Sequence, residues 1–397
     1  MSARWSFAES SRFHMPLTDP TWSDFFSVTF LETLRERVLP GLWPLLAAFA
    51  VCVVVVPLAI QLSRQTGLMA EPGGRHAHAR PTPLLGGLAM FVGFAVAVIA
   101  FVPSTTTRTG VLVVSGLAAV LLIADDRWSV SPGVKFAFQL LVALVAVAAF
   151  GFVITFIGLP DHGVHSNIVE LGWFAAPVSI FWLLGMQNTV NFLDGVDGLA
   201  AGVVMIVALT LLVAAAGTRS SESLLAVQLS GALAGTCAGF LLFNFYPAKI
   251  FMGDSGSHFL GVAIGVISIL GVSKVNVAFA LAVPVLALAL PIGDTAWAIL
   301  RRRLTKASMA RPDLGHLHHR LQDFGLNPRQ TSYVFYAATA LSGTVGLMLF
   351  GHRRILAVVL VATLVMASTV VADRLQKAGV RIPAPFLQRL LADPGTR

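Results

Sequence analysis

Four amide and carboxylate side chains recur at every third residue of QNTVNFLDGVDGLAAG (187–202): Asn188, Asn191, Asp194 and Asp197. On a continuous helix that spacing lays them along one slowly drifting stripe. Gly195 and Gly198 interrupt it and let backbone amides approach a ligand closely. Oxygen donors gathered at the end of an apolar stretch suit a hard cation and a sugar-like ligand. A calcium EF-hand would need a longer loop with a terminal Glu, and a helix cap needs one such residue rather than four.

Three further clusters carry chemistry. Asp125 and Asp126 close an apolar stretch, a pair suited to metal binding or to proton abstraction from an acidic oxygen. Lys135 follows nine residues after Asp126 and can either hold a phosphate or reach lipid headgroups. In PAKIFMGDSGSHFLG (247–261), Gly253, Ser255, Gly256 and Ser257 open a helix. Its first N–H groups form an anion nest, and Asp254 can hold Mg²⁺ against a phosphate; Asp254 or Ser255 acting as an ordinary N-cap is the plainer alternative. In RPDLGHLHHRL (311–321), His316, His318 and His319 sit beside Arg311 and Arg320, which favours an anionic ligand over zinc. A weaker cluster, Arg75, His76, His78 and Arg80, lies in a Gly- and Pro-rich segment.

The elements that must position these groups are read from composition. Of 397 residues, 56% are hydrophobic and 12% charged, about half the charge of a soluble domain. Eleven apolar runs lie at 42–62, 84–102, 110–124, 134–157, 172–191, 198–217, 223–244, 257–272, 277–297, 332–350 and 355–372, and among Lys, Arg, Asp and Glu only Lys135 and Asp294 fall inside them. Runs near 20 residues match a bilayer core of about 30 Å. The expected fold is an all-α, polytopic transmembrane bundle of eleven spans; a soluble enzyme, a β-barrel and a disordered scaffold are excluded. Residues 1–41 read as a tail with an interfacial helix at 22–38, 42–372 as the membrane domain and 373–397 as a C-terminal tail. The segment 158–171 reads as a surface loop. Cys52 and Cys237 both lie in apolar runs, so no disulfide framework is available.

Alternate threading places 18 of the 27 Lys and Arg on one side. The positive-inside bias makes that side cytoplasmic, with the N-terminus outside and the C-terminus inside. The acids and histidines of every chemically loaded segment fall on the same face, independently of the Lys and Arg bias. The net charge of +8 suits anionic headgroups; no basic block interleaved with aromatics points to nucleic acid. The residues alone indicate a Mg²⁺-dependent enzyme handling phosphate esters at the inner leaflet. An ion-coupled transporter would instead place its acids near the midplane, reachable from both sides.

DD at 125–126, NxxNFLDGVDGLAAG at 188–202, PAKIFMGDSGS at 247–257 and HLHHRL at 316–321 resemble the polyprenyl-phosphate N-acetylhexosamine-1-phosphate transferase family. The resemblance implies attack of a lipid phosphate on the β-phosphate of a UDP-sugar, releasing UMP and leaving a lipid-linked sugar pyrophosphate. It also implies a helical bundle in the cell membrane, often dimeric, with Mg²⁺ as cofactor and Mn²⁺ as a substitute. By position, Asn191 and Asp254 match metal ligands. Asp125 and Asp126 match the pair acting on the lipid phosphate, Lys135 a phosphate contact, Asp197 a uridine contact, and His316, His318 and His319 the pyrophosphate and sugar contacts. Asp194 matches an acid of the same loop. The sequence departs from the family at Ala70 and His76, where Asp and Lys are usual. The spaced HLHH resembles enzymes loading N-acetylglucosamine-1-phosphate onto undecaprenyl phosphate, the first step of a surface polymer. The alternative is the phospho-MurNAc-pentapeptide translocase, whose histidine motif is an uninterrupted triplet.

Overall fold

The computed structural model describes residues 34–71, 81–159, 167–216, 221–271, 321 and 325–349. Within them the chain forms helices α1 (Leu39–Thr66), α2 (Gly86–Phe101), α3 (Thr106–Trp128), α4 (Pro132–Ala148), α5 (Ala175–Leu193), α6 (Leu199–Ala216), α7 (Ser221–Asn244), α8 (Gly253–Gly271) and α9 (Pro328–Leu349). Two short antiparallel pairs join them: β1 (Met69–Ala70) with β2 (Thr82–Pro83), and β3 (Phe156–Leu159) with β4 (Asn167–Glu170). Among the described residues, five helices are long and apolar enough to cross a membrane, over Arg35–Thr66, Thr106–Trp128, Leu199–Ala216, Glu222–Asn244 and Gly253–Gly271. The chain is a helical membrane protein, a form in which each span satisfies its own backbone without water. The expected spans at 277–297 and 355–372, the C-terminal tail and most of the N-terminal tail lie outside the described residues.

One apolar run is helical over only part of its length. The run at 134–157 yields a helix that stops at Ala148, and Gly151 takes φ +68°. The β-branched and aromatic stretch beyond it, through Phe156 and Ile157, goes extended. Phe156 then pairs with Glu170 and Leu159 with Asn167, so part of the expected surface loop at 158–171 is a hairpin. Hydropathy alone does not separate a short buried helix end from a strand.

Inside lipid, helices gain little from hydrophobic exclusion and associate through close packing at small residues. Gly231, Gly235 and Gly239, four residues apart on α7, face α1. A Cβ on Gly231 would stand 2.0 Å from the Gly41 carbonyl oxygen, and one on Gly235 2.0 Å from that of Leu45. Helix α8 is the hub, buried continuously from Ser255 to Ile269 and packed on α2, α3, α5 and α7. Its start is fixed by the segment before α2: Phe251 N–H donates to Pro83 O (2.8 Å), while Gly86 and Gly87 N–H donate to Phe251 O and Met252 O. Gly87 and Gly256 cross backbone to backbone, and a Cβ on Gly87 would meet Gly256 N at 2.2 Å. Gly87→Ala is therefore expected to destabilise the protein by about 3 kcal/mol or more. Gly133→Ala, where a Cβ meets nothing within 4 Å, should leave the melting temperature unchanged or raise it. Thermal unfolding in detergent checks both.

Candidate active site

The polar ends of four helices meet around the first turn of α8. Helix α3 carries Asp125 and Asp126 in its last turn, and the chain then turns through Ser129 (φ +48°). It re-enters α4 under a Ser131 cap, with Lys135 one turn further on. Helix α5 carries Asn191 in its last turn and stops at Leu193, leaving Asp194 as its C-cap. Lys135 Nζ is ion-paired with Asp254 Oδ2 and lies 3.3 Å from Asp125 Oδ2. Asn191 Nδ2 donates to Asp254 Oδ1 (2.6 Å) and to Ser257 Oγ (3.0 Å). Asp125, Lys135, Asn191 and Asp254 thus form one connected cluster.

Asp126 has a different task. Its two oxygens accept from the backbone N–H groups of Asp254 (2.7 Å) and Ser255 (3.1 Å). Gly253, at φ +68°, leaves room for it, since a Cβ there would lie 2.5 Å from Asp126 Oδ1. The anion nest expected at 253–257 is therefore filled by a carboxylate of the chain itself, and neither Asp254 nor Ser255 caps α8. A negative charge at a helix start satisfies both unpaired amides and the helix dipole, so the amides expected for a phosphate hold the hub helix to α3 instead.

The loop between α5 and α6 forms the other wall. Asp197 Oδ2 accepts from Ala248 N–H (2.9 Å). Gly198, at φ +76°, donates its N–H to Asn244 Oδ1 (3.1 Å), and Tyr336 of α9 donates its hydroxyl to Gly198 O (2.6 Å). Asp194, Asp197, Asn244, Phe251 and Gly253 line a cleft. Asn244 and Tyr336 were not singled out from sequence; each is one polar group in an apolar run. His316, His318, His319, Asp294, Arg311, Arg320 and the Arg75–Arg80 cluster lie outside the described residues.

Loss of water around Asp194, then the carboxylates of Asp254, Asp126 and Asp197, push its carboxyl well above the usual range. A carboxyl raised in the folded state binds its proton more tightly there than when unfolded. Its contribution to stability is complete at low pH and is lost as pH rises through the folded value. In EDTA, the melting temperature should therefore fall with rising pH in this window, and Asp194→Asn should flatten that slope. An unchanged slope in the variant would remove Asp194 as its source.

The donors fit a divalent cation in one particular way. Among the described residues no three His, Cys, Asp or Glu side chains form a metal-binding group on their own. Asp254 nevertheless supplies a carboxylate that accepts from Asn191 Nδ2 and draws Lys135 as a cation, and the Asn191 amide turned over would add its oxygen beside it. That matches an ion such as Mg²⁺, which takes one or two protein oxygens and completes its shell with substrate phosphates and water.

The pattern of glycosyl transferase family 4 matches residues 108–272, the stretch holding Asp125, Asp126, Lys135, Asn191, Asp194, Asp197 and Asp254. A Bacillus subtilis protein described as a probable undecaprenyl-phosphate N-acetylglucosaminyl 1-phosphate transferase is 38% identical over 304 residues, 76% of this chain and 83% of that protein. The chain belongs to glycosyl transferase family 4. A further family relative, the decaprenyl-phosphate N-acetylglucosaminephosphotransferase of Mycolicibacterium smegmatis, is 35% identical over 80% of this chain and 82% of its own length. The phospho-N-acetylmuramoyl-pentapeptide-transferase of Moorella thermoacetica is 31% identical over 79% of this chain and 99% of its own. As a family 4 member the protein is a membrane-embedded transferase.

Proposed function

We propose that the protein transfers N-acetylglucosamine-1-phosphate from UDP-N-acetylglucosamine to undecaprenyl or another polyprenyl phosphate, with Mg²⁺, releasing UMP. The observation that carries this reading is the cluster at the start of α8, where Asp254 meets Lys135 and Asn191, and Asp125 lies 3.3 Å from the same lysine. It pairs a site for a cation-bridged pyrophosphate with an acid beside a phosphate-holding lysine. The names of the 38% and 35% identical relatives favour N-acetylglucosamine-1-phosphate as the transferred group.

In this reaction an oxygen of the lipid phosphate attacks the β-phosphorus of the UDP-sugar. The new P–O bond forms as the bond from the β-phosphorus to the bridging oxygen breaks, and UMP leaves with that electron pair. Asp254 and Asn191 would hold the ion, which when bound polarises the pyrophosphate and neutralises charge on the leaving group. Lys135 holds the incoming phosphate, and Asp125 accepts its proton or fixes its orientation. Asp126, spent on the α8 amides, positions Asp254. Asp197, in the cleft wall, contacts the uridine nucleotide; Asp194 supports the same loop. His316, His318 and His319 would bring positive charge to the pyrophosphate and sugar.

The eleven-span arrangement, with the N-terminus outside and the site at the cytoplasmic face of the cell membrane, belongs to the same proposal. It rests on the Lys and Arg bias. A panel of radiolabelled UDP-sugars with purified protein, Mg²⁺ and undecaprenyl phosphate tests the donor. Labelled lipid from UDP-N-acetylglucosamine is expected. Labelled lipid from UDP-MurNAc-pentapeptide alone would assign the protein to the translocase reaction instead.

A further inference from the structure

One helical turn deeper than Lys135, Asn191 and Asp254, the same three helices carry a second set of polar side chains. Gln139 follows Lys135 by four residues on α4, Asn188 precedes Asn191 by three on α5, and His258 follows Asp254 by four on α8. These spacings put each on the face of its partner above. Gln139 and His258 are 3% and 0% exposed, so each needs full hydrogen-bond partners to offset its burial.

The partners form a chain with one direction. Asn188 Nδ2 donates to Gln139 Oε1 at 2.8 Å, which fixes the orientation of the Gln139 amide. Gln139 Nε2 then faces His258 Nε2 at 2.8 Å, making that ring nitrogen the acceptor and placing the ring proton on Nδ1. Nδ1 lies 2.8 Å from the backbone oxygen of Asp254 and donates to it. The donors run from α5 through α4 to α8 and end on the residue whose carboxylate meets Lys135 and Asn191. Buried hydroxyls elsewhere behave differently: those of Thr210 and Thr236 bond to carbonyls of their own helices.

We propose that Gln139, Asn188 and His258 are positioning residues that set the relative rotation of α4, α5 and α8, and so the spacing of Lys135, Asn191 and Asp254. Their role rests on the proposed reading of Asp254 and Asn191 as ligands of a divalent cation. The test measures Mn²⁺ binding to the purified full-length protein in detergent by electron paramagnetic resonance, beside thermal unfolding. Gln139→Leu and His258→Leu are each expected to weaken Mn²⁺ binding about tenfold, the usual effect of losing a partner behind a ligand. His258→Gln, which can accept from Gln139 and donate to the Asp254 carbonyl, should recover most of the loss. Thr236→Val, a buried hydroxyl removed elsewhere, should bind like wild type even if its melting temperature falls. Where the leucine variants fail to fold, Gln139→Met fills a similar volume and carries the same expectation. If Asp254→Asn abolishes Mn²⁺ binding while the Gln139 and His258 variants bind like wild type, the positioning layer is overturned. If Asp254→Asn itself binds like wild type, the ion reading fails, and the layer loses its function with it.

Discussion

Asp254→Asn is expected to lower transfer by about a thousandfold, the scale of losing a charge that stabilises phosphoryl transfer, while the melting temperature changes little. The fold should survive because the side chain is not what anchors α8. The anchor is the Asp254 backbone N–H on Asp126, and asparagine keeps that amide. Lys135 retains Asp125 as an ion-pair partner at 3.3 Å, so no unpaired cation is left behind. What disappears is the carboxylate shared by Lys135 and Asn191. Initial rates of UMP release and thermal unfolding of the same preparation check this, and raising the Mg²⁺ concentration should not restore the rate. A variant within about tenfold of wild type would remove Asp254 from the chemistry.

The second large effect separates two neighbouring acids. Asp126→Ala leaves two helix-start amides without an acceptor, which should cost about 2 kcal/mol and displace Asp254 from Lys135. Asp126→Asn, which keeps one accepting oxygen, should retain more of both stability and activity. Asp125→Asn should show the opposite pattern: an unchanged melting temperature and a rate lowered by about a hundredfold, the range for losing a positioned acid or base. Equal thermal losses in Asp125→Asn and Asp126→Asn would contradict this division of labour.

How much of this was legible follows from what kind of signal each feature leaves. The run at 198–217 became Leu199–Ala216, because an apolar stretch bounded by polar turns leaves little choice in lipid. The run at 110–124 became Thr106–Trp128, since the helix continues through the polar turn that holds Asp125 and Asp126. The run at 134–157 misled for the opposite reason: its apolar content hid the break at Gly151. In the site, Asp125, Asn191 and Asp254 stood out as groups of oxygens in an apolar chain. Asn244, Gln139 and His258 did not, being single polar residues whose partners come from other helices. The capping of α8 by Asp126 joins residues 128 positions apart, and no local pattern carries such a pairing.

In the proposed reaction a sugar phosphate, not a bare sugar, moves to the lipid. The most direct measurement follows UDP-N-acetylglucosamine labelled with ³²P in the β-phosphate, given to the purified protein with polyprenyl phosphate and Mg²⁺. The expected result is label in the extracted lipid, unlabelled UMP released in equal amount, and neither product in EDTA. Label released in UDP, with an unlabelled lipid-linked sugar, would contradict it.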